Sequence, residues 1–137
     1  MSSTPRQYRR AEPGRLNAWM ALSELFLDAD LDEKDIESIS RRLRTTGYGI
    51  TELEQIYEEE VAPVCWRNHG ALPGGVWARF DPNWLAQSID RHCEGDTGFW
   101  PRLGWLRRRR IDRWTASSRT DWERVKRRLA QEEPTSK

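Results

Sequence analysis

Arg15-Leu16-Asn17-Ala18-Trp19-Met20-Ala21-Leu22-Ser23-Glu24-Leu25-Phe26-Leu27 is the stretch on which the fold turns. Leu16, Trp19, Met20, Ser23 and Leu27 recur at three- and four-residue steps, and Leu22 with Phe26 widens the stripe. That step puts the apolar side chains on one side of a helix and predicts a first helix over 15–27. The period returns downstream. Asp32 is a good N-cap, Glu33 and Asp35 suit the positive end of the helix dipole, and Ile36, Ile39 and Leu43 make one apolar face, with Gly47 as a natural stop. Thr51-Glu52-Leu53-Glu54 has the spacing of a capping box and opens a third helix through Leu53, Ile56, Tyr57, Glu60, Val61 and Val64. Pro63 should end that helix near Ala62, because proline disfavours helical geometry in the residue before it.

Residues 65–80 read as irregular, punctuated by Gly70, Pro73, Gly74 and Gly75. Asp81 as N-cap and Pro82 at the first helical position predict a fourth helix with Trp84, Leu85, Ser88 and Ile89. A turn follows at 94–98, then a fifth helix from about Pro101 to Trp114 with Leu103, Leu106, Ile111 and Trp114 inward. Ser118 or Thr120 caps a last helix carrying Trp122, Val125 and Leu129. No segment has the two-residue period of a strand. The expected fold is all-α, a compact bundle of about five or six short helices. Residues 1–14 form a flexible N-terminal arm, 15–131 a single helical domain and 132–137 a frayed tail.

The 137 residues suit one domain. With 36% hydrophobic and 33% charged residues the core must be small, and eight tryptophans partly offset that, since each buried aromatic removes roughly 150–250 Å² from water. Two cysteines are too few for a disulfide scaffold. No run of apolar residues is long enough for a membrane span or a signal peptide, so a cytoplasmic protein is expected. The net charge of +1 conceals a polarity: residues 16–60 hold twelve Asp/Glu against four Lys/Arg, and residues 101–137 hold twelve Lys/Arg against five Asp/Glu. Such a split points either to a charged partner or to two halves that neutralise each other.

Known chemistry finds little to use. Asp28, Asp30 and Asp32 have the first spacings of a calcium loop, but the sixth and twelfth positions are Glu33 and Ile39 instead of Gly and Glu. Cys65, His69, His92 and Cys93 could supply four zinc ligands, yet their order is not that of a zinc motif, and buried thiols with capping histidines explain them. There is no phosphate loop, no H-E-x-x-H, no G-x-S-x-G and no group to orient a Cys–His pair. Glu58-Glu59-Glu60 points around its helix without converging. The expectation is a non-enzymatic protein with no cofactor, no metal and no catalytic residue.

Two surfaces remain. Arg107-Arg108-Arg109-Arg110, with Arg102 and Arg113, lies among Trp100, Trp105 and Trp114. Guanidinium groups pair with phosphate and indole rings stack on bases, which is the composition of a nucleic-acid surface. Four consecutive arginines span more than one helical turn, so at least two must be exposed. The acidic second and third helices offer the other surface.

Trp19-Met20-Ala21-Leu22-Ser23-Glu24-Leu25-Phe26-Leu27-Asp28, followed by Gly47-Tyr48, Glu52-Leu53, Ile56 and Glu60-Val61-Ala62-Pro63-Val64, resembles a family of small, uncharacterised bacterial proteins known chiefly as a domain of unknown function. Trp77-Ala78-Arg79-Phe80-Asp81 with Trp84-Leu85 resembles its second block. The resemblance covers roughly residues 16–90, places the arginine-rich part after residue 100 outside the family, and brings no activity or catalytic residue with it. It implies a bacterial protein with the helical fold read above.

Small size, absent chemistry and the acidic helices together suggest a protein-binding module, an immunity protein that neutralises a cognate toxin. Glu37, Glu52, Glu58 and Glu59 are the expected contacts with a basic toxin cleft. The alternative is nucleic-acid binding through Arg107, Arg108, Arg109, Arg110 and Trp105. Because the acidic half coincides with the family-like helices and the basic half does not, the two are expected to form separate surfaces.

Overall fold

A computed structural model describes residues 14–27, 31–66, 80–95 and 104–132. The expected N-terminal arm apart from Gly14, Asp28 and Asp30 of the acidic turn, the glycine-rich loop with His69, most of the turn at 94–98, Trp100, Arg102, Leu103 and the last five residues lie outside the described residues. Among the described residues the chain is all-helical, as the periodicity predicts. Helix α1 (Arg15–Ser23) tightens into a 3₁₀ turn at Glu24–Phe26, α2 runs over Glu33–Arg44 and α3 over Ile50–Ile56. A π-helical segment, Tyr57–Val61, leads without a break into α4 (Ala62–Cys65). Helices α5 (Pro82–Gly95), α6 (Gly104–Thr115) and α7 (Arg119–Glu132) complete the bundle.

The local signals work where a side chain has a backbone group to satisfy. The Asp32 carboxylate accepts from the Asp35 amide at 2.9 Å, and the Asp35 carboxylate accepts from the Asp32 amide at 3.0 Å. This reciprocal box satisfies two donors that the helix start leaves over. Asp81 accepts from the Trp84 amide at 2.8 Å at the head of α5. Gly47 sits at φ +86, the left-handed geometry that stops α2.

Three local readings need correction. The third helix opens one residue before Thr51: Gly49 is its N-cap with no side-chain bond, and Thr51 is exposed within the helix. Pro63 does not end the helix. It sits in the first turn of α4, directly after the wide π turn, where the backbone donor it lacks is not needed. On α1 the buried set is Ala18, Trp19, Ala21, Leu22 and Ser23, continuing into Leu25 and Phe26, whereas Leu16 is 37% exposed. The buried face is shifted from the expected stripe toward Ala18 and Ala21.

The core joins both ends of the chain. Trp19, Tyr57, Phe80 and Trp122 are fully buried with Leu22, Ile39, Leu53 and Leu85. Tyr57 bridges Phe26 of the first turn and Trp122 of α7, with ring centroids 5.9 Å and 5.1 Å away. Helix α7 packs along α2, and the π segment meets α1, α5 and α6. No described helix is long and apolar enough to cross a membrane.

Candidate nucleic-acid interface

Helix α6 carries the arginine run, and its seating on the core decides which arginines reach solvent. Ile111 and Thr115, four residues apart, are buried, with the Thr115 hydroxyl donating to the Ile111 carbonyl at 2.8 Å. The opposite face therefore turns outward. One row at four-residue spacing runs along it, Trp105, Arg109 and Arg113, while the neighbouring row of Leu106, Arg110 and Trp114 turns back toward the core, against which Trp114 packs half-buried. Arg108, Arg109, Arg110 and Arg113 are exposed, and Trp105 is 65% exposed. The side chain of Arg107 lies outside the described residues.

Between this face and the end of α4 lies a cleft of about 670 Å³, lined by Trp66, Leu106, Arg109, Arg110, Arg113 and Trp114. The Arg113 guanidinium lies over the Trp66 ring, 5.5 Å from its centroid, a cation–π geometry that presents positive charge and an aromatic ring together. His92 of α5 meets Trp114 edge-on at 5.9 Å and supports the far wall. By periodicity alone Trp66 falls near the start of the irregular stretch 65–80. No local signal could place it opposite α6, since the approach is tertiary. The four-residue row on α6 was present in the sequence and is the signal by which Arg113 could have been grouped with Arg109.

The acidic candidates sit differently. The Glu58 side chain is 13% exposed, and its Oε2 accepts from Arg108 at 3.2 Å and from Arg119 at 2.9 Å. The Glu58 carboxylate, although burial of Arg108 works the other way, raises the Arg108 guanidinium above its ordinary pKa through a hydrogen bond and direct charge. Glu54 pairs with Arg119 and Lys126, each at 3.3 Å. Arg124 and Arg128 of α7 donate to Glu33 at 2.9 Å and 3.2 Å, and hydrogen bonds from both hold its carboxyl below the usual carboxylate range. Glu37 lies 3.9 Å from Arg128, Glu52 is exposed and Glu59 is half-buried. The expected separation of acidic and basic surfaces is therefore overturned: α7 lies along α2, and the two charge halves face each other across that contact.

Glu60 is a further departure from the sequence reading. Arg15 donates to it from Nε at 3.2 Å and from Nη2 at 2.6 Å, and Trp19 Nε1 donates at 2.8 Å. Burial opposes the Arg15 charge, but hydrogen bonds and charge from Glu60 and Tyr48 outweigh it and raise its pKa. The signal was in plain view, since Glu60 stands three residues after Tyr57 on the buried stripe. The carboxylate joins α1 to the π segment and is structural.

Among the described residues no group of three or more His, Cys, Asp or Glu is placed to hold a metal. Cys65 is buried, and burial pushes its thiol pKa up, so it is held neutral. Cys93 is half-buried on α5, and His69 lies outside the described residues.

No curated protein and no solved structure matches the chain. A family model matches residues 13–128, a span that runs through α6 and most of α7. The arginine-rich segment, which the resemblance placed outside the family, thus lies within it. The chain belongs to the family described as Domain of unknown function (DUF7079).

Proposed function

We propose that this chain is a nucleic-acid-binding protein whose working surface is the cleft beside α6. The observation that carries the reading is the convergence of Arg109, Arg110 and Arg113 with Trp66 and Trp114 around one cleft, beside the exposed Trp105. Exposed guanidinium groups take phosphates and release the counterions condensed on them. The rings offer stacking surface that a purely electrostatic patch lacks. Arg108 takes a lesser part, because Glu58 and Asp112 already engage it. A cytoplasmic protein would have such a ligand at hand.

A second reading, neutralisation of a cognate toxin through Glu37, Glu52, Glu58 and Glu59, is supported by the exposure of Glu37 and Glu52. It loses Glu58 to the internal pairs with Arg108 and Arg119, which leaves a thinner acidic face than the composition suggests.

The test is fluorescence anisotropy of a labelled oligonucleotide titrated with the protein across a salt series. Binding should weaken steeply with salt, and the triple variant R109Q/R110Q/R113Q should lower the slope of log K against log salt by roughly 2 to 3. No binding at low salt, or a triple variant that binds as the parent does, overturns the reading and returns the choice to the acidic face.

A further inference from the structure

We propose that Arg109 and Arg113 form a seat for one backbone phosphate of the nucleic acid, and that Trp66 is the positioning residue that holds Arg113 in it. The inference rests on the nucleic-acid reading above and adds which side chains grip the ligand, and by which of its parts. Its ground is a contrast among arginines that lie over rings. Arg15 lies over Tyr48 and Arg119 over Tyr57, 5.3 Å and 5.2 Å from the centroids. Carboxylates neutralise both: Glu60 pairs with Arg15, and Glu54 and Glu58 pair with Arg119. Arg113 lies over Trp66 at 5.5 Å in the same manner, yet no acid among the described residues pairs with it. Arg109, one turn earlier on the same exposed row, has no acid either.

Two cations four residues apart on a helix stand about 5–6 Å from each other at Cβ and repel. Within α6 the fold relieves Arg108 through Glu58 and Asp112, but it leaves the Arg109–Arg113 pair for an anion from outside. A guanidinium held over a ring keeps its in-plane N–H groups for an oxyanion, and the phosphate oxygens match that fork. Trp66 packs half-buried against the core at the end of α4 and lines the cleft with both arginines. Arg113 is therefore held before the ligand arrives and has less freedom to lose on binding. The Trp66 ring serves the arginine and not a base, so the seat reads the backbone of the ligand rather than its sequence.

A double-mutant cycle on the full chain tests this, read with a labelled strand and an abasic strand of the same length at fixed low salt. Trp66→Leu should weaken both strands alike, by about threefold to fivefold, and should have no further effect once Arg113→Gln is present. Trp66→Phe, which keeps a ring under the guanidinium, should restore most of the loss, and circular dichroism melts show that each variant is folded. A second measurement leaves Trp66 untouched and holds even if Trp66→Leu does not fold. On a labelled duplex, R109Q/R113Q should lower the slope of log K against log salt by roughly 1, the value for one shared phosphate. A drop of roughly 2 gives each arginine its own phosphate and overturns the seat. A Trp66→Leu loss confined to the base-bearing strand, or undiminished beside Arg113→Gln, overturns the role of Trp66; either result leaves the nucleic-acid reading standing. If no strand or duplex binds at low salt, both fall.

Discussion

Tyr57 shows how much one side chain can hold in a core this small. Its ring stacks on Trp122 and its hydroxyl shares a 2.7 Å hydrogen bond with the buried Ser118 hydroxyl. Burial pushes its phenol up to about 12, against smaller opposing effects of the Ser118 bond and the Arg119 charge. A folded-state pKa above the ordinary 10.0 means that folding favours the neutral phenol, so stability is fully present below pH 10 and lost as pH rises towards 12. The expected loss is at most about 3 kcal/mol. Tyr57→Phe should remove that alkaline component and cost about 1–2 kcal/mol at neutral pH, because Ser118 is left without its partner. Urea unfolding at pH 8 and pH 11.5 checks both signs; an unchanged alkaline slope in the variant would show that other groups carry it. The two buried tryptophans differ in the same currency. Trp19 gives its N–H to Glu60, while Trp122 Nε1 has no hydrogen-bond partner among the described residues.

Among the elements, the turn between α2 and α3 does more than reverse the chain. Gly47 adopts φ +86 with open space around it, whereas Gly14 has an ordinary φ of −90 but stands so close to Thr46 that an added Cβ would be 2.7 Å from its carbonyl oxygen. One glycine answers to backbone geometry and the other to a tight approach of α1 on the turn. Gly47→Ala should therefore cost about 1 kcal/mol, and Gly47→Asn should recover most of it, since asparagine tolerates the left-handed region. Gly14→Ala should also destabilise, but Gly14→Asn should not recover it. Thermal melts of the four variants decide the matter, and recovery at both positions would mean that the Thr46 approach relaxes freely. The stop at Gly47 was legible in the sequence, because it follows the last apolar residue of α2. The crowding at Gly14 was not, because its neighbour lies more than thirty residues away.

For the whole molecule, the decisive contact is α7 against α2. It places Trp122, Val125 and Leu129 in the core with Ile36 and Ile39, and it brings Arg124 and Arg128 to Glu33. The ion pairs are largely exposed and contribute little alone; the aromatic and aliphatic burial carries the contact. A protein ending at residue 103 should therefore not fold cooperatively, although it retains the whole of the 16–90 stretch that looks family-like by sequence. Circular dichroism melts and binding of a hydrophobic dye measure this. A sharp transition in the shortened chain would show that the first five helical segments are self-sufficient.

The sequence by itself determined the helical class, the starts of α2 and α5, and the stop at Gly47, because those rest on a period of 3.6 residues and on side chains that bond their own backbone within a few positions. It also determined that some of the arginine run must face water, since four consecutive residues cannot share one side of a helix. The tertiary structure decided how the charges are paired and where the cleft lies. Glu58 meets Arg108 and Arg119 across fifty residues or more, and Trp66 meets Arg113 across a similar distance. Charge patterns along the chain say which signs are present, but pairing depends on distance in space, and only the packing of α6 and α7 on the earlier helices sets it.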